Sequence, residues 1–367
     1  MTTRIGIKIL FCVAVVLAVF VQNGCSDSIS DNKTASQQVD ELFAPLTVAT
    51  QPGAAVMVIR DGRILHNGHY GFADLDKAIP ITSETNFRLA SVSKQFAAMA
   101  IMILQEEGQI SYDDPISLYV PDLAAYPGVT VRHLLQHTGG LPDYYDLIDT
   151  SEDIPTNADA VRVLGDMASP EFAPGERYEY SNSGYDMLGP IVEAAAGTPF
   201  VDFVRERIFQ PLNMGKSLVH DHTFPEIPDR AIGYDPVADG FKPNDFDPLN
   251  GIVGSGGIYS NLEDIYRWDQ SLYGEQLVSQ ESIATAFTAG LSNQGESIDY
   301  GFGWRVETTR GHKRVWHGGS WVGFRTHIAR SPDLRFSIVI LSNESEFSAA
   351  EYIEPITDIY LGPETPE

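Results

Sequence analysis

Apolar and polar residues alternate from Ala54 to Asp74 (AAVMVIRDGRILHNGHYGFAD), with Asp61-Gly62 near the centre. Alternation sends successive side chains to opposite faces of a strand, and Asp-Gly suits a tight primed turn, so this stretch predicts a β-hairpin. The period then changes. From Asn86 (NFRLASVSKQFAAMA) apolar residues recur at helical spacing, with a stop expected near Gly108. Between Tyr112 and about Leu272, helical patterns such as SGYDMLGPIVEAAAG and TPFVDFVRERIF alternate with Pro/Gly loops. Strand patterns return from Tyr300 (YGFGWRVETT, KRVWHGG, GFRTHIARS, RFSIVILSN), and an amphipathic helix is expected from Ser348 to Tyr360. Strands at both ends of a helical middle predict an α+β fold. One antiparallel sheet would be built from N- and C-terminal segments and flanked by helices, with a mostly helical inserted subdomain. A site is expected in the cleft between the two parts.

The first residues break this pattern. Arg4 and Lys8 precede the apolar run ILFCVAVVLAVFV, which fits an export signal over residues 1–25 and is short for a membrane span. Cys25 after Gly24 resembles a bacterial lipid-attachment site, although Gln22 and Asn23 stand where small or apolar residues are usual. Membrane attachment through a lipidated Cys25 is the reading taken, with ordinary secretion and an uncleaved anchor as alternatives. The expected location is the periplasm or cell envelope. Residues 26–38 read as a polar tether, and 39–367 as the folded domain.

Composition narrows the chemistry. The chain has 367 residues and a net charge of −26, with no block of Lys or Arg to meet a phosphate backbone, so nucleic acid is not an expected partner. Both cysteines, Cys12 and Cys25, lie in the leader, which leaves the domain without a thiol nucleophile or thiolate metal site. His133/His137 and His220/His222 lack a His-Glu-x-x-His frame and read as structural; no metal and no cofactor is expected.

Three short motifs carry the candidate chemistry. Ser91-Val92-Ser93-Lys94 places a serine and a lysine at i and i+3, one face of a helix, where a lysine of lowered pKa can take a hydroxyl proton. Locally, an N-capping serine explains the stretch equally well. Tyr180-Ser181-Asn182 precedes a helix and offers a phenol and an amide, though a packed tyrosine and a capping asparagine are the plainer reading. His317-Gly318-Gly319, with Ser320 behind it, lies on an expected strand where small residues let a substrate lie against the backbone. Arg325 and His327 on the next strand read as strand polarity rather than as substrate contacts.

In order and spacing these motifs resemble the serine β-lactamase/penicillin-binding group, and within it the class C-like branch of D-alanyl-D-alanine carboxypeptidases, D-aminopeptidases and esterases. SYDDPISLYVPDL, VRHLLQHTGGLPDY, GSGGIYSNLEDIYRW and YGFGW add to the resemblance, which runs from about Val39 to the C-terminus. It implies Ser91 as the acylated nucleophile, Lys94 as its proton partner and Tyr180 as general acid and base. Asn182 would position the substrate amide, His317-Gly318-Gly319 would line the binding strand, and the N–H groups of Ser91 and Ser320 would form the oxyanion hole. True class C β-lactamases carry Lys-Thr-Gly where this chain has His-Gly-Gly. The implied function is therefore a serine hydrolase of amide, D-amino-acid peptide or ester substrates. Carboxylesterase, true β-lactamase and a non-catalytic peptidoglycan-binding protein are the alternatives. An exposed histidine at 317 would make activity depend on pH between about 6 and 8. Oligomeric state is left open.

Overall fold

The computed structural model describes residues 33–151 and 153–364. The leader, Cys25 and most of the expected tether lie outside the described residues. The sheet has six antiparallel strands: β1 (Ala54–Arg60), β2 (Arg63–Tyr70), β3 (Arg305–Thr309), β4 (His312–Trp321), β5 (Phe324–Ser331) and β6 (Phe336–Ser342). Their spatial order is β3-β4-β5-β6-β1-β2, so the hairpin closes against the last strand of the C-terminal meander. Val56 faces Ile340 and Val58 faces Ile338 in that register.

β1 is buried on both faces, which explains its nearly unbroken apolar run. Val56 and Val58 pack with Phe43, Ile338, Ile340 and Ile356 on one side. Ala55, Met57 and Ile59 join the larger core with Phe96, Trp268 and Leu341 on the other. Residues of opposite parity enter separate cores because the pleat alternates.

Helix α1 (Ala35–Phe43) covers the first face, and the polar stretch expected as a tether therefore ends earlier. Thr34 Oγ1 accepts from the Gln37 N–H and Gln37 Oε1 accepts from the Thr34 N–H, a reciprocal cap that starts the helix, while Val39 and Phe43 anchor it. The opposite face carries α2 (Lys94–Glu106), in which Lys94 to Leu104 are all buried, and α3 (Asn182–Ala196) packs beside it. Helix α4 (Ile353–Leu361) is the expected C-terminal helix.

The middle of the chain is less purely helical than its pattern predicts. It contains a hairpin of Tyr234–Val237 with Gly240–Pro243, and a small sheet joining Phe87–Arg88, Ile258–Ser260 and Leu218–Val219. Strands of two to four residues are too short to produce a readable alternation. Among the described residues no single helix is long and apolar enough to cross a membrane.

Candidate active site

One turn of 3-10 helix, Ala90–Ser93, leads into α2 and carries Ser91. Neither serine caps the helix. Ser93 Oγ instead accepts from the Ile258 N–H at 3.2 Å and ties the turn to the small sheet. Ala90 has φ of +49°, a strained conformation for a residue with a Cβ. Lys94 is fully buried, and its Nζ lies 2.7 Å from Asn182 Oδ1, 3.0 Å from the Ser255 carbonyl and 3.3 Å from Ser91 Oγ. Burial pulls its pKa down to about 7, against the opposing pull of the Asp186 carboxylate. Near neutral pH the amine is thus partly unprotonated. With two N–H bonds directed to Asn182 and Ser255, its lone pair is left for the Ser91 hydroxyl.

The second motif reaches the same point from α3. Ser181, not Asn182, caps that helix by accepting from the Gly184 N–H, so the Asn182 amide is free to hold Lys94. Tyr180 lines the same cleft as Ser91 and places its ring 4.9 Å from Lys94 Nζ and 5.9 Å from the Arg305 guanidinium. Burial pushes its phenol up to about 12, only partly countered by Ser91 and Arg305, so it stays protonated at neutral pH. His137 supports this turn: its Nδ1 accepts from the Ser181 N–H at 3.1 Å, and its ring sits 4.4 Å from that of Tyr180. His133 caps its own helix through Thr130. Among the described residues no group of three His, Cys, Asp or Glu side chains is arranged to hold a metal ion.

The third motif forms the opposite wall, on β4. His317 is buried; its Nδ1–H donates to the Gly318 carbonyl at 2.7 Å, and its Nε2 accepts from the Tyr300 hydroxyl at 2.9 Å. Burial, then the Lys94 charge, lowers its pKa to about 3. The expectation that His317 titrates between pH 6 and 8 is therefore corrected, because that expectation took an exposed ring. Gly319 presses against the turn that carries Ser91. A Cβ there would stand 2.2 Å from the Leu89 carbonyl oxygen and from Thr326 Oγ1, and Thr326 itself donates to Leu89 O at 2.8 Å. Ser91, Tyr180, Asn182, His317, Gly318, Gly319 and Ser320 all border one cleft of about 680 Å³. Arg325 and His327 also line it, although His327 is stacked on Trp316 with its pKa lowered to about 4 by burial.

The beta-lactamase family matches residues 39–358, nearly the whole described fold. The chain belongs to the beta-lactamase family. Penicillin-binding protein 4* of Bacillus subtilis is 36% identical over an alignment of 326 positions that covers 84% of this chain and 72% of that protein. A D-aminopeptidase of Brucella anthropi is 31% identical over an alignment of 330 positions that covers 86% of this chain but only 60% of that longer enzyme. Among solved structures, the octameric penicillin-binding protein homologue from Pyrococcus abyssi superposes with a TM-score of 0.79 at 28% identity, covering 90% of this chain and 77% of that one.

Against this family background, two site residues had escaped the sequence reading. Asp186 is buried one turn beyond Asn182, accepting from the Tyr144 hydroxyl at 2.7 Å, the Tyr145 hydroxyl at 3.2 Å and the Ser255 N–H at 3.0 Å. Its place at i+4 from Asn182 was the available signal. Arg305, directly after YGFGW, lies over the Tyr180 and Trp316 rings and pairs with no carboxylate among the described residues. It returns to the cleft a permanent cation, which the His-Gly-Gly variant of the third motif lacks.

Proposed function

We propose that this chain is an exported serine hydrolase that forms an acyl-enzyme at Ser91 and cleaves amide or peptide bonds, including those of D-amino acids. The observation that carries this reading is the fully buried Lys94 amine 3.3 Å from Ser91 Oγ, where burial lowers its pKa. Ser91 attacks the carbonyl carbon and its proton passes to the Lys94 amine. The oxyanion so formed faces the N–H groups of Ser91 and Ser320. As the C–N bond breaks, the Tyr180 phenol protonates the departing amine and is re-protonated from Lys94. Water then attacks the acyl ester, which releases the acid and restores Ser91.

The proton affinities favour Lys94 as the base and Tyr180 as the acid, since a phenol near 12 holds its proton where the amine does not. The unpaired Arg305 favours leaving groups that bear a carboxylate, such as a C-terminal amino acid. The motif likeness to D-aminopeptidases and esterases keeps ester hydrolysis as the second reading. Export and lipid attachment at Cys25 rest on the leader's pattern alone.

Labelling with a fluorescent phosphonate or penicillin probe tests the nucleophile: wild type should label and Ser91→Ala should not. A Ser91→Ala protein that still labels and turns over substrate overturns the mechanism. Rates on a D-amino-acid amide, a D-alanyl dipeptide, a nitrophenyl ester and a chromogenic cephalosporin rank the substrate classes. Fractionation of wild type and Cys25→Ala tests the anchor.

A further inference from the structure

Ser91, Asn182 and Ser320 stand at the junction of two cavities. One is the large cleft with Tyr180 and Arg305. The other is a recess of about 40 Å³ lined by Arg88, Tyr145, Leu249, Ile252 and Trp321. An acid that protonates a leaving group must face that group, and Tyr180 borders the cleft but not the recess. The leaving group therefore occupies the cleft, and the recess receives the acyl half that remains on Ser91.

Arg88 sets the chemistry of this recess. The residue is 3% exposed, yet no described residue accepts a hydrogen bond from it, and its Nε and Nη1 are enclosed without a partner. Its guanidinium stands 5.6 Å from the Tyr259 ring centroid. The neighbouring acid, Asp245, is engaged by Arg230. His220 beside it has its pKa lowered to about 4 by burial and by the Arg88 charge, so it supplies no further cation at neutral pH. A buried guanidinium without an acceptor is unfavourable, and an anion brought by a ligand to Nη2, the one nitrogen of the three that is not enclosed, would offset its charge. The size fits as well. The recess is small, about 40 Å³, with room for a short acyl group only. Leu249 and Ile252 offer an apolar wall for the methylenes leading to it. Trp321 Nε1 already donates to Asn250 Oδ1 at 2.6 Å and does not compete.

We propose that the recess is an acyl-side anion pocket. Arg88 selects short acyl groups that end in a carboxylate one or two methylenes from the scissile carbonyl. This rests on the reading of Ser91 as the acylated residue.

The experiment compares hydrolysis of 4-methylumbelliferyl hemisuccinate and 4-methylumbelliferyl butyrate, whose acyl chains are similar in length and differ in the terminal charge. Wild type should show kcat/KM at least roughly tenfold higher for the hemisuccinate, as expected for a charge-assisted bond made in one case only. That preference would run against the chain's net charge of −26. Arg88→Gln should bring the ratio to one or below, and Arg88→Lys should retain part of it; a ratio within one preparation is insensitive to the fraction folded. A wild-type ratio at or below one overturns the proposal even if no variant folds, and so does an Arg88→Gln protein that keeps the preference. Ser91→Ala should abolish both activities. If it does not, the nucleophile reading fails, which is a separate outcome from loss of the acyl preference.

Discussion

Lys94 and His317 are both buried nitrogen bases, on opposite walls of one cleft, and burial acts on them with opposite consequences. Each pKa falls because the charged form loses its hydration. Lys94 starts at 10.5 and arrives near 7, where it can accept and return a proton. His317 starts at 6.5 and falls to about 3, where it stays neutral and acts as a fixed link between Tyr300 and the Gly318 carbonyl. In the proposed mechanism the helix wall works through proton affinity, and the strand wall through shape and main-chain groups.

Replacing Lys94 with Met should break the first wall most severely. We expect kcat/KM on any turned-over substrate to fall by about 10³-fold with the circular dichroism spectrum retained. A loss below tenfold would remove Lys94 from the proton path. Gly319→Ala probes the other wall. Its Cβ has no room between Leu89 and Thr326, so the strand must shift from the turn that carries Ser91. A loss of about 10²-fold is expected, measured alongside the melting temperature. Normal activity in this variant would mean that strand contact does not set the geometry.

His317→Asn should cost only about five- to tenfold, the worth of one buried hydrogen bond. Its more telling readout is the pH profile. With Lys94 as base, log kcat/KM should fall as pH drops through about 7, because protonation occupies the amine lone pair, and should level off above it while Tyr180 keeps its proton. His317→Asn should leave that inflection in place; its disappearance would return the titration to the histidine. The smallest effect belongs to Asp186→Asn. Losing the carboxylate that stabilises the Lys94 ammonium should move the inflection to lower pH, by less than about one unit. A shift to higher pH would contradict the assigned electrostatics.

Local pattern was sufficient wherever a feature depends on neighbours in sequence. The alternation around Asp61-Gly62 encodes the hairpin, four strand patterns after Tyr300 encode the meander, and the i, i+3 spacing of Ser91 and Lys94 puts them on one face. The order of the three motifs was enough to indicate the family that the comparisons show. Tertiary structure decided the rest. The pairing of β1 with β6 joins residues 276 to 288 positions apart in the chain, and Asn182 reaches Lys94 across 88. Asp186 and Arg305 come to the site only through such packing. Proton affinity belongs to the same class: a pKa reports which distant groups exclude water from an atom, and a residue's sequence neighbours do not carry that information. That is why Lys94 could be named from its spacing, whereas its readiness to act near pH 7, and the silence of His317 there, emerged only once both walls were folded around them.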